Sequence, residues 1–309
     1  MILGNTTAEE FLASYWQQQP LLIRAAMPDY RSPISADELA GLALEEEVES
    51  RLVRCADSQW LVRHGPFVAE DFLSLPEQDW TLLVQGVDLW VPQVQELLKR
   101  FDFLPPWRLD DIMVSFACPG GSVGPHFDQY DVFLLQVEGQ RRWQIGPTCT
   151  SQTPLQPDSV LRIVADFSAQ QEWVLDPGDM LYLPPGVSHW GVAQSECLTF
   201  SIGFRSPSIA DMLGDLAVEL ITQGYDKHYR DPQLIPGMAA TEIDPAFVAQ
   251  AKTQLWQAIN DDDLIADWFA RFMTATKYPE LEHMTEEQRY AAVRGKRYFN
   301  GDCVDDALQ

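Results

Sequence analysis

A chain of 309 residues, 46% of them hydrophobic, is long enough for about two domains and at least one substantial core. Its longest apolar stretches, such as Val132 to Leu135, are too short to span a bilayer. The formal net charge of −25 repels phosphate backbones, so direct nucleic-acid binding is not expected, whereas a basic partner would be attracted. The five cysteines are odd in number and widely spaced with no CxxC pair, so neither a disulfide framework nor a cysteine zinc site is indicated. The opening "MILGNTTAEEFLASYW" lacks a basic region and a long apolar core, which predicts no signal peptide and a soluble, cytoplasmic protein.

In chain order, "TTAEEFLASYW" predicts a helix capped by Thr7, with Glu10 three residues on. "QQPLLIRAA" predicts a short strand after the break at Pro20. Glu45, Glu46, Glu47 and Glu49 are expected on a solvated helix face. From about Trp107 to Phe204, short runs rich in Val, Ile, Leu, Phe and Trp alternate with Gly and Pro turn signals. That pattern predicts a β-sandwich or barrel. After Ser206 the apolar spacing becomes three and four, as in "SIADMLGDLAVELITQ", "DPAFVAQAKTQLWQAI" and "DLIADWFARFM", which predicts helices.

Within the β-rich stretch, "GPHFDQYDVFLLQVEGQRRW" places His126 and Asp128 two apart. In a strand both would project from one face and offer two ligands to a divalent metal. Alone the pair is weak evidence. Downstream, "DPGDMLYLPPGVSHW" follows Gly178 with Pro184, Gly186 and His189 at the spacing G-x5-P-x-G-x2-H of the second cupin motif. The first motif, G-x5-H-x-H-x3-E-x6-G, runs from Gly120 through His126 and Asp128 to Gly139, with Val132 in place of its glutamate. His126, Asp128 and His189 thus form a two-histidine, one-carboxylate set, which leaves positions on Fe(II) open for oxygen and a bidentate cosubstrate. In the strand after Gly139, Arg141, Trp143 and Ile145 share one face, with Trp143 and Ile145 inward. Arg141 would enter beside them, where a buried guanidinium needs an anion such as a carboxylate. Arg142 would face water, and Ser115 on "MVSF" could add a hydroxyl.

These segments, with "SYWQQQPLLIR" near the start, resemble the bacterial ribosomal oxygenases over residues 1 to 275. That JmjC-type group of Fe(II)- and 2-oxoglutarate-dependent oxygenases is related to the MINA and NO66 proteins. The resemblance implies iron on His126, Asp128 and His189, and the 2-oxoglutarate C5 carboxylate on Arg141 assisted by Ser115. It implies hydroxylation of an arginine β-carbon in the basic large-subunit ribosomal protein L-sixteen, with O2 as the second cosubstrate and succinate and CO2 released.

The expected fold is mainly β with α, a double-stranded β-helix of the jelly-roll, cupin or JmjC kind followed by a helical dimerisation region. The expected parts are an N-terminal α/β extension packing on the barrel (1–90), the catalytic core (91–205), the helices of a homodimer (206–275) and a tail (276–309). That tail is too short for the complete winged helix of family members and would be its beginning. Alternative readings are a metal-dependent cupin dioxygenase or isomerase that does not use 2-oxoglutarate, and a metal-free scaffold on the same fold. Arg141 and the missing glutamate argue against the first, and the intact triad against the second.

Overall fold

Eleven strands and several short helices build the chain up to Ser206 in the computed structural model, which describes residues 2–56, 59–234, 242–278, 281 and 289–304. One compact unit contains Met1–Ser206 and a second begins at Pro207. The strands are β1 (Leu21–Ile23), β2 (Ser50–Ala56), β3 (Gln59–His64), β4 (Trp80–Val84), β5 (Leu109–Ala117), β6 (Asp131–Glu138), β7 (Arg141–Thr148), β8 (Gln171–Leu175), β9 (Met180–Leu183), β10 (Val187–Ala193) and β11 (Cys197–Phe204). An eight-stranded sheet runs β1-β9-β6-β11-β5-β4-β2-β3, and a three-stranded sheet runs β10-β7-β8.

The large sheet has a core on each face. Phe133, Leu135 and Val137 of β6 join Phe11, Leu39 and Phe101 from the flanking segments. Their neighbours Val132 and Leu134 point the other way and pack with Trp143, Ile145, Leu175 and Val187 of the small sheet. Strand alternation sends successive side chains into two different cores, so "DVFLLQVE" reads as a continuous apolar run. The first ninety residues do more than pack on this sheet. Strand β1 pairs with β9 and β4 pairs with β5, so N-terminal strands widen it at both edges.

Thr7 caps the helix Ala8–Ser14 by accepting from the Glu10 amide. The glutamate cluster departs from expectation: the helix Ala36–Leu42 ends first, and Glu45, Glu46, Glu47 and Glu49 lie exposed on the turns that follow. A helix through them would set Glu45 against Glu49 one turn away, a repulsive pair. The turns instead let Val48 drop into the core at 3% exposure.

The second unit holds the helices Ile209–Thr222, Pro245–Ile259 and Asp262–Thr274, capped by Ser208, Asp244 and Asp261. Trp268 and Met273 are buried, and the Trp268 indole donates to Asp215 at 2.7 Å. Of the large apolar residues on these helices, which were expected to form a homodimer, Leu216 and Trp268 are buried within the chain, while Leu213, Leu255 and Trp256 are exposed. The tail forms β12 (Tyr290–Val293), β13 (Lys296–Phe299) and β14 (Asp302–Cys303), an antiparallel three-stranded sheet. Residues 279–280, 282–288 and 305–309, parts of the expected winged-helix beginning, lie outside the described residues. Among the described residues no helix is long and apolar enough to cross a membrane.

Candidate active site

Sixty-two residues of chain separate His126 from His189, and a backbone pair closes the gap. The His126 amide donates to the His189 carbonyl at 3.0 Å, and the His189 amide returns the bond at 2.8 Å. A third link ties the two cupin-like motifs together, because the Gly186 amide donates to the Asp128 carbonyl at 2.6 Å. Gly186 sits at φ +81°, a conformation that glycine adopts without the steric cost of a Cβ. His126 and Asp128 lie in an extended segment just before β6 rather than within a regular strand. Their two-residue spacing still aims both side chains at one point.

The ligand atoms of His126, Asp128 and His189 all lie within 4.8 Å of one another. Nε2 of His189 is 3.7 Å from Asp128 Oδ2, and Nε2 of His126 is 3.9 Å from the same oxygen. Each imidazole turns its Nδ1 to a carbonyl that can only accept: His126 to Gly124 and His189 to Val187, both at 2.9 Å. Nδ1 therefore carries the proton in each ring, and both Nε2 lone pairs point at Asp128. Burial, and then the neighbouring His126, press the His189 pKa down to about 4, so this ring is neutral at pH 7. Two imidazole Nε2 atoms and a carboxylate facing one point fit a divalent transition metal. Val132, which stands where a four-ligand cupin site has its glutamate, contributes an apolar side chain to the same cavity.

That cavity, of about 330 Å³, runs from the triad to Arg141. On β7 the inward residues Arg141, Trp143 and Ile145 are buried, while Arg142 and Gln144 are half-buried and engage Glu172. Arg141 is 4% exposed and lies 5.2 Å over the Trp143 ring. Among the described residues a terminal nitrogen donates to Ser115 Oγ at 3.4 Å, and the side chain has no carboxylate partner. Its Nε has no hydrogen-bond partner among the described residues. Burial lowers the Arg141 pKa, the signature of a charge held without its counter-ion. Gly191 on β10 makes room for this arrangement. A Cβ there would lie 2.6 Å from the Trp143 ring and 2.9 Å from Arg141 Nε.

The structure also brings in residues that were not singled out from the sequence. Thr199 and Ser201 of β11 line the cavity, as do Gln85, Tyr130, Arg51 and Arg162. For Thr199 and Ser201 a signal existed: two hydroxyls two apart in the apolar run "CLTFSIGF" mark the face that meets a polar cavity. Burial, then Asp128 and Asp111, push the Tyr130 pKa upward, so its phenol stays neutral.

Comparison with known proteins places this geometry. Residues 96–212 match the JmjC domain. The chain is 37% identical over 282 residues to the ribosomal protein uL16 3-hydroxylase of Escherichia coli (strain K12), covering 91% of this chain and 74% of that protein. It is 41% identical over 232 residues to a Haemophilus influenzae protein named "Probable ribosomal oxygenase", covering 74% of this chain and 55% of that one. Among solved structures, the E. coli ribosomal oxygenase YcfD in complex with cobalt and 2-oxoglutarate superposes with a TM-score of 0.84 at 33% identity. That match covers 98% of this chain and 89% of the other.

Proposed function

This chain belongs to the ribosomal oxygenases, a family built on the JmjC domain, and on that footing we propose that it is an Fe(II)- and 2-oxoglutarate-dependent protein hydroxylase. Its target on this reading is the β-carbon of an arginine in a basic large-subunit ribosomal protein. The observation that carries the reading is the pairing, in one cavity, of a His-Asp-His cluster with a buried guanidinium that lacks an anion. A dicarboxylate joins those two features: one end reaches the metal and the other neutralises Arg141. Metal-dependent chemistry without 2-oxoglutarate would leave Arg141 uncompensated.

His126, Asp128 and His189 would hold the iron, and Arg141 with Ser115 the distal carboxylate. Bound there, iron with 2-oxoglutarate and O2 supplies an oxidative decarboxylation that releases succinate and CO2 and delivers one oxygen atom to a C–H bond. The protein's part is to hold and shield. The carbonyls of Gly124 and Val187 fix the histidine tautomers. Val132, Leu134 and Trp143 line the cavity with apolar surface that limits water. Gln85, Tyr130 and Ser201 offer acceptors for a substrate guanidinium. The charge of −25 favours encounter with a basic polypeptide, an advantage that falls as salt rises. The exposed Leu213, Leu255 and Trp256 support pairing of the second unit's helices in a homodimer.

The test is mass spectrometry of ribosomal proteins incubated with the enzyme, Fe(II), ascorbate and 2-oxoglutarate. The expected result is a gain of one oxygen atom on an arginine, absent without 2-oxoglutarate. A peptide with lysine at that position should turn over far more slowly, because the planar guanidinium fork is lost. Equal turnover of both peptides, independent of salt, would defeat the substrate assignment and leave the iron centre standing.

A further inference from the structure

Two arginines flank the cavity and have no role in the site as described so far. Arg51 lies on β2 of the large sheet, held in register between Leu83 of β4 and His64 of β3. Arg162 lies on the segment joining β7 to β8 in the small sheet. Its neighbours Ile163 and Val164 are buried, at 0% and 6% exposure, and the Val164 amide donates to the Pro125 carbonyl at 2.8 Å. That bond ties the segment, two residues after Arg162, to the residue preceding His126. Both arginines are exposed, both line the cavity, and among the described residues neither is in an ion pair. The cavity wall therefore carries three guanidinium groups, Arg51, Arg141 and Arg162, against one carboxylate, Asp128. Near Tyr130, Asp110 is paired with Arg205 at 3.5 Å; Asp111 accepts only from the uncharged Gln85 amide at 2.9 Å, and counting it as a second anion still leaves three guanidinium groups against two carboxylates.

We propose that Arg51 and Arg162 form a cationic entrance that captures the 2-oxoglutarate dianion and passes it to Arg141. This rests on the cosubstrate reading of the site given above. A molecule of net charge −25 repels a dianion at long range. The repulsion reaches about 30 Å at 0.01 M salt and about 8 Å at physiological salt. Two unpaired guanidiniums at the mouth invert the sign of the field where the dianion must enter. Focusing of this kind between low-dielectric walls raises on-rates by roughly tenfold or more.

The experiment is stopped-flow tryptophan fluorescence of Mn(II)-loaded protein without oxygen, mixed with 2-oxoglutarate at several salt concentrations. In the unaltered protein the association rate constant should fall as salt rises. In the Arg51→Gln/Arg162→Gln double variant it should be roughly tenfold lower at low salt, and it should rise with salt as the unmasked global repulsion is screened. Arg51→Lys/Arg162→Lys should restore the original slope, which shows that charge and not a specific contact is responsible. Arg142→Gln removes the same charge from a residue paired with Glu172 and should leave the slope unchanged. Unchanged association in the double glutamine variant, with only the KM for a protein substrate raised, would overturn the entrance and make these arginines substrate contacts. Failure of 2-oxoglutarate to bind the unaltered protein would overturn both the entrance and the cosubstrate reading.

Discussion

Strand β11 and the helix Ile209–Thr222 lie only a few residues apart in the chain and are both strongly apolar, yet they meet water differently. Every residue of β11 is buried. In the helix Leu216 alone is buried, while Ile209, Leu213, Val218 and Ile221 are 56–76% exposed. The strand has two faces and the chain supplies a cover for each: aromatic and aliphatic residues on one side, a polar cavity on the other. The helix covers one narrow stripe and leaves the rest. Apolar composition creates the demand for burial, and each buried side chain is worth about 1.5–3 kcal/mol. Which surface meets that demand is decided elsewhere, in this unit by the same chain and in the helical unit, on our reading, by a second copy.

If that contrast is right, changes in the first unit should damage chemistry or folding, and changes on the exposed helices should alter assembly. The largest effect is expected from His189→Ala. It leaves two ligands, and metal affinity should fall by more than the roughly hundredfold that even loss of an outer partner can cause. Metal content after anaerobic Fe(II) loading reads this directly, and full loading of the variant would remove the triad assignment. Next comes Arg141→Ala, which should raise the 2-oxoglutarate requirement by about 2–5 kcal/mol in binding free energy, while Arg142→Ala changes it little. Titration of both variants with 2-oxoglutarate checks the ranking, and the reverse order would sink the assignment of the inward face.

A pH effect of similar size follows from His189 in metal-free protein. Burial and His126 hold its pKa at about 4, below the ordinary value of 6.5. Between those values the unfolded chain takes up a proton that the folded chain refuses. Stability should therefore fall by about 3 kcal/mol as pH drops from 6.5 to 4, with no contribution from this group above that window. Urea midpoints across the range should show the fall, and His189→Gln should flatten it. Gly191→Ala should cost about 1–3 kcal/mol of stability, because the added methyl collides with Trp143 and Arg141 Nε. A thermal melt that did not move would mean the two side chains can withdraw freely. The smallest effect on folding is expected on the other side of the comparison. Leu213→Glu with Leu255→Glu should shift stability by about 0.5 kcal/mol per site while halving the mass seen by light scattering. A monomer before substitution would end the dimer proposal.

The order of chemical groups in this site was legible in one dimension because a strand repeats every two residues. That rule placed Arg141, Trp143 and Ile145 together and set Arg142 outside. The glycine, proline and histidine spacing around Gly120 and Gly178 singles out His126, Asp128 and His189, whose ligand atoms the fold brings within 4.8 Å of one another. Three things were not legible. Glu45, Glu46, Glu47 and Glu49 read as a helix face and lie on turns, since a solvated turn and a solvated helix face share one composition. Arg51, Gln85 and Arg162 are ordinary surface residues in the sequence and become cavity residues only when strands from different parts of the fold converge. The extent to which Leu216 and Trp268 are covered within the chain, while Leu213 and Trp256 are not, depends on how each helix is rotated against its neighbours. Periodicity is a local property set by backbone geometry, so the sequence by itself determined which residues share a face. Convergence of distant segments is set by packing and strand pairing, so only the tertiary structure decided which faces meet, closing the gap between His126 and His189 with two backbone hydrogen bonds.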